Sequence, residues 1–324
     1  MNLSDLNPLA GRSVLVTGAT GFIGSHLTRR LLDTGCDVWI LNRKGSDSWR
    51  IADILHKLNI VNGELGTITA EEILEILPSG IRYVFHLAAA GVNQSQAFDA
   101  LAMQTNIMGT ANLLQWARQI LPERFLYCGS CFEYGPGESL HEDLLPAPNS
   151  DYGASKAAAW MLVQACFRRY RLPVVSLRPF TVFGPFEGTH RLIPYVISKT
   201  LQEDSIALTG GIQTRDFIFI EDVIDAFLQA AVCKDAIGQT FNICTGQATQ
   251  IRSVVNMIVE LIGGNAQPQF GLIPYRDDEL WVHSGSPSAA HDVLGWKAKH
   301  SLRQGLENTI GWFLANEDRS LHAT

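Results

Sequence analysis

Apolar positions in the first 180 residues form short continuous runs that alternate with longer stretches of helical periodicity. The runs have the length of buried strands, and the stretches between them repeat apolar residues every three or four positions. Strands are predicted at 14–16, 36–41, 82–87, 124–128 and 172–177, and helices at 70–77, 98–120 and 151–170. This alternation predicts an α/β fold, a doubly wound parallel sheet with helices on both faces and ligands at the carboxyl ends of its strands.

The pattern changes after Arg178, where several proline and glycine residues break up a loop-rich stretch. Here we expect a smaller C-terminal lobe to begin. Apolar runs at 217–220 and 240–243 predict strands that return to the first sheet, and 251–262 and 302–313 have helical periodicity. The predicted division assigns 1–184 and 211–245 to the sheet domain, and 185–210 and 246–324 to the lobe that binds the substrate.

Composition narrows the class of partner. The chain has 324 residues, 46% of them hydrophobic, and a formal net charge of −7, which argues against nucleic acid or an anionic membrane and favours a small molecule. No apolar run reaches the roughly 18 residues of a membrane helix, so we expect a cytoplasmic protein with no membrane partner. Cys128 and Cys131 form a C-x-x-C without a second pair, so we expect no metal site.

The segment 12–27 combines a predicted strand, a glycine turn and the start of a helix. Gly18, Gly21 and Gly24 follow one another at three-residue spacing directly after the strand. Such glycines permit a tight turn, the approach of a pyrophosphate and close helix packing. The segment therefore predicts the first unit of a Rossmann domain that binds a dinucleotide.

The second predicted strand ends with Asn42, Arg43 and Lys44. NAD-specific sites usually place an acidic residue here to bind the adenosine ribose, whereas an amide and two cations favour the additional phosphate of NADP(H). A solvent-exposed basic loop would have the same residues. We expect NADP(H), with NAD(H) as the alternative.

Tyr152 and Lys156 lie one turn apart at the start of a predicted helix, behind the capping cluster 149–151. A nearby ammonium favours the phenolate, so we expect Lys156 to lower the pKa of Tyr152 and make it an acid-base group. Ser130 follows the strand 124–128, and its hydroxyl is placed to bond a substrate oxygen.

These motifs together resemble the extended short-chain dehydrogenase/reductase family, the NAD-dependent epimerases and dehydratases. The matches are TGATGFIG at 17–24, HLAA at 86–89, TNIMGT at 105–110, Tyr152-x-x-x-Lys156 and RPFTVFGP at 178–185. The resemblance implies catalysis by Ser130, Tyr152 and Lys156 on a nucleotide-diphosphate sugar. It also implies cofactor contacts from Gly18, Thr20, Gly21, Phe22, Ile23, Asn42, Arg43, Lys44, Leu87, Ala88, Ala89, Asn106, Tyr152, Lys156 and Pro179.

The second half resembles the reductases that make CDP-abequose and CDP-paratose. The similar segments are 191–197, 209–228, 275–281 and 294–296. The resemblance implies that Arg191, Arg215 and Arg276 bind the substrate, Arg215 and Arg276 at its diphosphate. Thr181 is a further substrate-binding candidate, although the family often has Asn there. The helices 98–120 and 151–170 correspond to those that form the family's dimer, so we expect a homodimer.

The motifs are compatible with four functions. We expect NADPH-dependent reduction of the C4 ketone of an NDP-4-keto-6-deoxyhexose. The alternatives are an NDP-hexose 4-epimerase that retains NAD, an epimerase-reductase of the GDP-fucose synthase type using Cys131 and His190, and a redox-sensing binding protein. A 4,6-dehydratase is disfavoured, because Cys131 and Phe132 stand where that class has Asp-Glu.

Overall fold

The computed structural model describes residues 8–91, 100–263, 265–277 and 279–316. The predicted helix residues 98 and 99 and both ends of the chain lie outside this part. The strands are β1 Ser13–Thr17, β2 Asp37–Asn42, β3 Asn59–Asn62, β4 Tyr83–His86, β5 Arg124–Cys128, β6 Gly137–Leu140, β7 Val174–Pro179, β8 Thr181–Phe183, β9 Ile206–Leu208, β10 Thr214–Phe219, β11 Thr240–Ile243, β12 Ala248–Gln250, β13 Pro268–Phe270 and β14 Val282–Gly285.

The helices alternate with these strands along the first half of the chain, as predicted. They are α1 Phe22–Asp33, α2 Ala70–Ile76, α3 Ala100–Met103, α4 Gly109–Ile120, α5 Asp151–Tyr170, α6 Leu192–Leu201, α7 Ile220–Val232, α8 Ile251–Ile262, α9 Ser288–Leu294 and α10 Leu302–Ala315. Among the described residues, no helix has the length and apolar character to cross a membrane.

The main sheet is parallel and seven-stranded, in the order β3-β2-β1-β4-β5-β7-β11. Along β1, Val14 and Val16 pack in one core with Leu27 of α1 and with α7, and Leu15 packs in another with α2, α4 and α5. The strand is apolar throughout because helices cover both faces of the sheet. The order reverses between β1 and β4, which is where such sheets bind ligands. The predicted doubly wound fold is confirmed.

The predicted helix 98–120 is interrupted. Residues 104–108 form a π-helical turn between α3 and α4, which widens the backbone around Asn106. The Asn106 amide uses this position to bond the backbone of Ala90 and, at 2.8 Å, the hydroxyl of Ser155. The irregular turn therefore fixes the loop after β4 to α5.

The strand predicted at 217–220 does not return to the main sheet, and that prediction was wrong. β10 lies in a second sheet of order β12-β10-β14-β6, and its residues 217–219 pair with β8. β8 follows β7 after one residue, and its parallel pairing with β10 takes β10 away from the main sheet. The other predicted strand, β11, does return to the main sheet, and the helix α7, which was not predicted, packs against that sheet. β6 joins the second sheet although it lies within 1–184.

Candidate active site

A cavity of about 620 Å³ lies at the carboxyl ends of the main-sheet strands. It is long enough to reach from the end of β2 to the start of α5. The predicted residues on its wall are Gly18, Thr20, Gly21, Phe22, Ile23, Asn42, Arg43, Leu87, Ala88, Ala89, Ser130, Tyr152, Lys156, Pro179 and Arg191. The structure thus brings most of the predicted cofactor and catalytic residues to one site.

The glycine turn after β1 has no room for side chains. Gly18 has φ +75°, and a Cβ there would lie 2.6 Å from the backbone nitrogen of Ala88. A Cβ at Gly24 would lie 2.0 Å from the carbonyl oxygen of Gly18, so α1 packs directly on the turn. α1 begins beside the cavity without a side-chain cap. This arrangement fits the diphosphate of a dinucleotide at the positive end of the helix.

The end of β2 supplies polar groups to the same cavity. Asn42 and Arg43 line it, whereas Lys44 is not among the lining residues. The structure adds Ser46, Arg50 and Glu64, which sequence patterns did not single out. The cavity wall at the end of β2 therefore has a cation, Arg43, in the region where NAD-specific sites have an acidic residue that binds the adenosine ribose.

Ser130, Tyr152 and Lys156 meet at the other end of the cavity. Ser130 caps the turn Cys131–Glu133 after β5, and its hydroxyl hydrogen-bonds to the Tyr152 phenol. Tyr152 lies in the first turn of α5, whose N-cap Ser150 accepts from the backbone N–H of Gly153 at 3.1 Å. The predicted cap places the phenol and the ammonium on the cavity side of one helix.

The expected effect of Lys156 on the phenol is not seen. Burial raises the pKa of Tyr152 above its usual value, and the hydrogen bond with Ser130 only partly opposes this rise. The Lys156 ammonium instead lies over the Tyr127 ring, 4.5 Å from its centre, and burial lowers the pKa of Lys156. Tyr152 is therefore protonated at neutral pH and able to donate to an oxygen.

One family model matches more than two thirds of the chain. Residues 14–244 match the model of the NAD dependent epimerase/dehydratase family. The chain belongs to this family. It is 30% identical to UDP-glucose 4-epimerase from Mycolicibacterium smegmatis over 92% of this chain and 97% of that protein. It is 29% identical to dTDP-glucose 4,6-dehydratase from Xanthomonas campestris pv. campestris, covering 94% and 93%.

A solved structure of similar sequence has the same architecture. The UDP-glucuronic acid 4-epimerase from Bacillus cereus, in complex with UDP-glucuronic acid and NAD, superposes with a TM-score of 0.83 at 27% identity. The match covers 94% of this chain and 99% of that one. The specific resemblance to C4 reductases inferred from the second half of the sequence is not shown by these relatives.

A buried ion pair behind Ser130 was missed by sequence analysis. Glu133 accepts a hydrogen bond from the Ser130 backbone N–H at 2.9 Å and from Arg178 Nε at 2.7 Å. Arg178 also donates to the hydroxyl of Tyr134 at 2.7 Å. Glu133 and Arg178 are both fully buried. In this member of the epimerase/dehydratase family, the network fixes the backbone that carries the Ser130 hydroxyl.

Five predicted residues do not line the cavity: Lys44, Asn106, Thr181, Arg215 and Arg276. Asn106 is buried and positions the cavity wall through Ala90, as described above. Arg215 forms an ion pair with Glu279 at 2.6 Å and is 16% exposed, so the carboxylate largely neutralises its charge. Thr181 lies in β8, against β10.

Cys131 and His190 both line the cavity. Burial raises the pKa of Cys131 to about 12, against the opposing charge of Arg215, so the thiol is protonated. Burial also lowers the pKa of His190, with Arg191 and Arg50 adding to the effect. A neutral imidazole and a thiol therefore face the site at neutral pH.

Proposed function

We propose that this protein is an NAD-dependent 4-epimerase of a nucleotide-diphosphate hexose. The observation that carries the proposal is the hydrogen-bonded Ser130–Tyr152 pair, which lies in the same cavity as the glycine turn. Membership of the family and the similarity to named 4-epimerases support it. The nucleotide sugar is the substrate class of the relatives compared above.

The chain's own residues divide the chemistry between binding and proton transfer. A bound nicotinamide dinucleotide supplies reversible hydride exchange at a sugar carbon. The glycine turn and α1 would hold its diphosphate, and Lys156 its nicotinamide ribose. Ser130 binds the C4 oxygen of the sugar, and Tyr152 in its phenolate form, the minor form at neutral pH, takes the proton of that oxygen and returns it to the epimer.

The immediate surroundings of Ser130 disfavour dehydration. Elimination of water requires an acid and a base next to the sugar. Glu133 is held by Arg178 and the Ser130 backbone, and the Cys131 thiol has a pKa of about 12. Neither group is suited to that proton transfer at neutral pH.

The second candidate is NADPH-dependent reduction of a C4 ketone. Asn42 and Arg43 on the cavity wall favour it, since a guanidinium pairs with a 2′-phosphate. The protonated phenol of Tyr152 also suits the reduction, which consumes a proton. The two candidates require opposite starting states of Tyr152: epimerisation begins by removing a proton, and ketoreduction begins by giving one.

One assay separates the candidates. CDP-, dTDP-, GDP- and UDP-hexoses and the corresponding 4-keto-6-deoxy sugars are incubated with the protein, and products are followed by NMR and cofactor by absorbance. An epimerase forms the C4 epimer with no net change in cofactor, at a rate that rises with pH. Stoichiometric oxidation of NADPH by the 4-keto sugars alone, at a rate that falls with pH, would replace the epimerase by the reductase.

A further inference from the structure

The loop from Gly184 to Arg191, part of which lines the cavity, is held in place by the contacts of Phe186. Phe186 has a left-handed backbone, with φ 67°, a conformation that side chains other than glycine rarely adopt. Its ring contacts His26, Trp49 and Trp312, with centroid distances of 5.3, 5.9 and 4.9 Å. His26 also bonds the carbonyl of Pro185 at 2.8 Å. Strained backbone held this firmly is found most often at ligand sites.

Arg50 reaches this loop from the segment after β2. Its Nε donates to the carbonyl of Phe186 at 2.8 Å, and its guanidinium lies 4.5 Å from the Trp49 ring. The side chain lines the cavity together with Phe22 at the start of α1. Burial lowers the pKa of Arg50, and within the described part of the chain the opposing acids are Asp47 and Glu187. A partly desolvated guanidinium is thus held at the cavity wall.

Glu187 does not neutralise the surrounding cations at neutral pH. It is 6% exposed, and burial raises its pKa to about 8. One carboxyl oxygen lies 3.7 Å from Arg191 Nε, and the other has no hydrogen-bond partner among the described residues. With Glu187 protonated, the lining cations Arg43, Arg50, Lys156 and Arg191 outnumber the remaining lining carboxylate, Glu64, and this excess of positive charge calls for an anionic ligand.

We propose that Arg50 binds a phosphate of the cofactor diphosphate, together with the N-terminus of α1. Arg50 lines the same cavity as Phe22, the first residue of α1, and this favours the cofactor diphosphate over the substrate diphosphate. Arg43, which follows β2 directly, is the separate candidate for a 2′-phosphate. The inference rests on the part of the proposed function that assigns a dinucleotide to this cavity, and not on the reaction catalysed.

The test measures binding by calorimetry to the full chain, without turnover. ADP carries the diphosphate, adenosine lacks it, and UDP reports the substrate side. Arg50→Gln is expected to weaken the binding of ADP about tenfold or more, which is the effect of one charge-assisted contact, and to leave the affinities for adenosine and UDP unchanged. Arg43→Gln should leave ADP unchanged, and Arg303→Gln, at an exposed pair with Glu260, is the surface control.

Three outcomes would overturn the inference. An equal loss for ADP and adenosine would show that Arg50 only supports the loop through Phe186. A loss for UDP with ADP retained would place the contact at the substrate diphosphate, and unchanged ADP affinity would remove the phosphate contact altogether. The two proposals can also fail separately. If Arg50→Gln weakens only ADP binding but the natural protein epimerises none of the sugars, the phosphate contact of Arg50 is upheld and the 4-epimerase is rejected.

Discussion

Replacing Glu187 by Gln should change how stability depends on pH. In the unfolded chain this carboxyl loses its proton near pH 4.5, whereas the buried side chain keeps its proton up to about pH 8. Between these values the unfolded state binds fewer protons than the folded state, so the free energy of unfolding falls as pH rises. The interval is about 3.5 pH units, and at about 1.36 kcal/mol per unit the loss reaches about 5 kcal/mol as an upper bound.

Gln is nearly isosteric with Glu and does not titrate, so Glu187→Gln removes this pH-dependent loss of unfolding free energy. Urea unfolding of both proteins, followed by tryptophan fluorescence from pH 5 to 9, measures the difference. The variant should gain stability relative to the natural protein by several kcal/mol between pH 5 and 8, and the difference should level off above pH 8. Other buried carboxyls are common to both proteins and cancel. Parallel pH profiles would refute the reasoning.

Four further predictions concern catalysis, cofactor choice, assembly and the buried ion pair. Tyr152→Phe should lower kcat by about 10²-fold or more and leave cofactor affinity unchanged, measured by steady-state kinetics and calorimetry. If the reductase candidate holds, calorimetry should show NADPH binding about tenfold more tightly than NADH, with the preference abolished by Arg43→Ala; the proposed NAD-dependent 4-epimerase should bind NADPH no more tightly than NADH. Sedimentation at micromolar concentration should show a homodimer, through a face that includes Leu101, Met108 and Met161, which are 48%, 53% and 53% exposed. Glu133→Gln should cost about 3–5 kcal/mol in urea unfolding, because it leaves Arg178 buried without its counter-charge.

Elements with strong local patterns were predictable from the sequence. Four elements have the predicted bounds: β5, α5, β11 and α8. Neighbouring elements pack on each of them, and the spacing of their apolar residues along the chain reflects this burial. β3 and β6 were not predicted. The residues of β3 alternate between partial burial and exposure, and two of the four residues of β6 are exposed. The two strands also include Asn or Gly, which are poor strand formers. β10 was recognised as a strand, but its partner depends on β8 and could not be read from its own residues.

Some residues of the candidate site were likewise predictable from the sequence, and others were not. Ser130, Tyr152 and Lys156 were found because spacing along the chain encodes their proximity. The Glu133–Arg178 pair joins residues 45 positions apart, and Arg50 meets Phe186 across 136 positions. No local pattern signals such contacts. The pKa of Tyr152 was predicted in the wrong direction, because burial by the surrounding fold outweighs the cation one turn away.

The placement of β6 has a consequence for engineering. This strand leaves the main-sheet half of the chain to pair with β14, near the far end of the sequence. A chimera that exchanged only the residues after β7 for those of a relative would join a foreign β14 to the resident β6, with mismatched side chains along their shared edge. Transplanting a new sugar specificity into this scaffold therefore requires at least two crossovers, with the segment around 137–140 moving together with the C-terminal half.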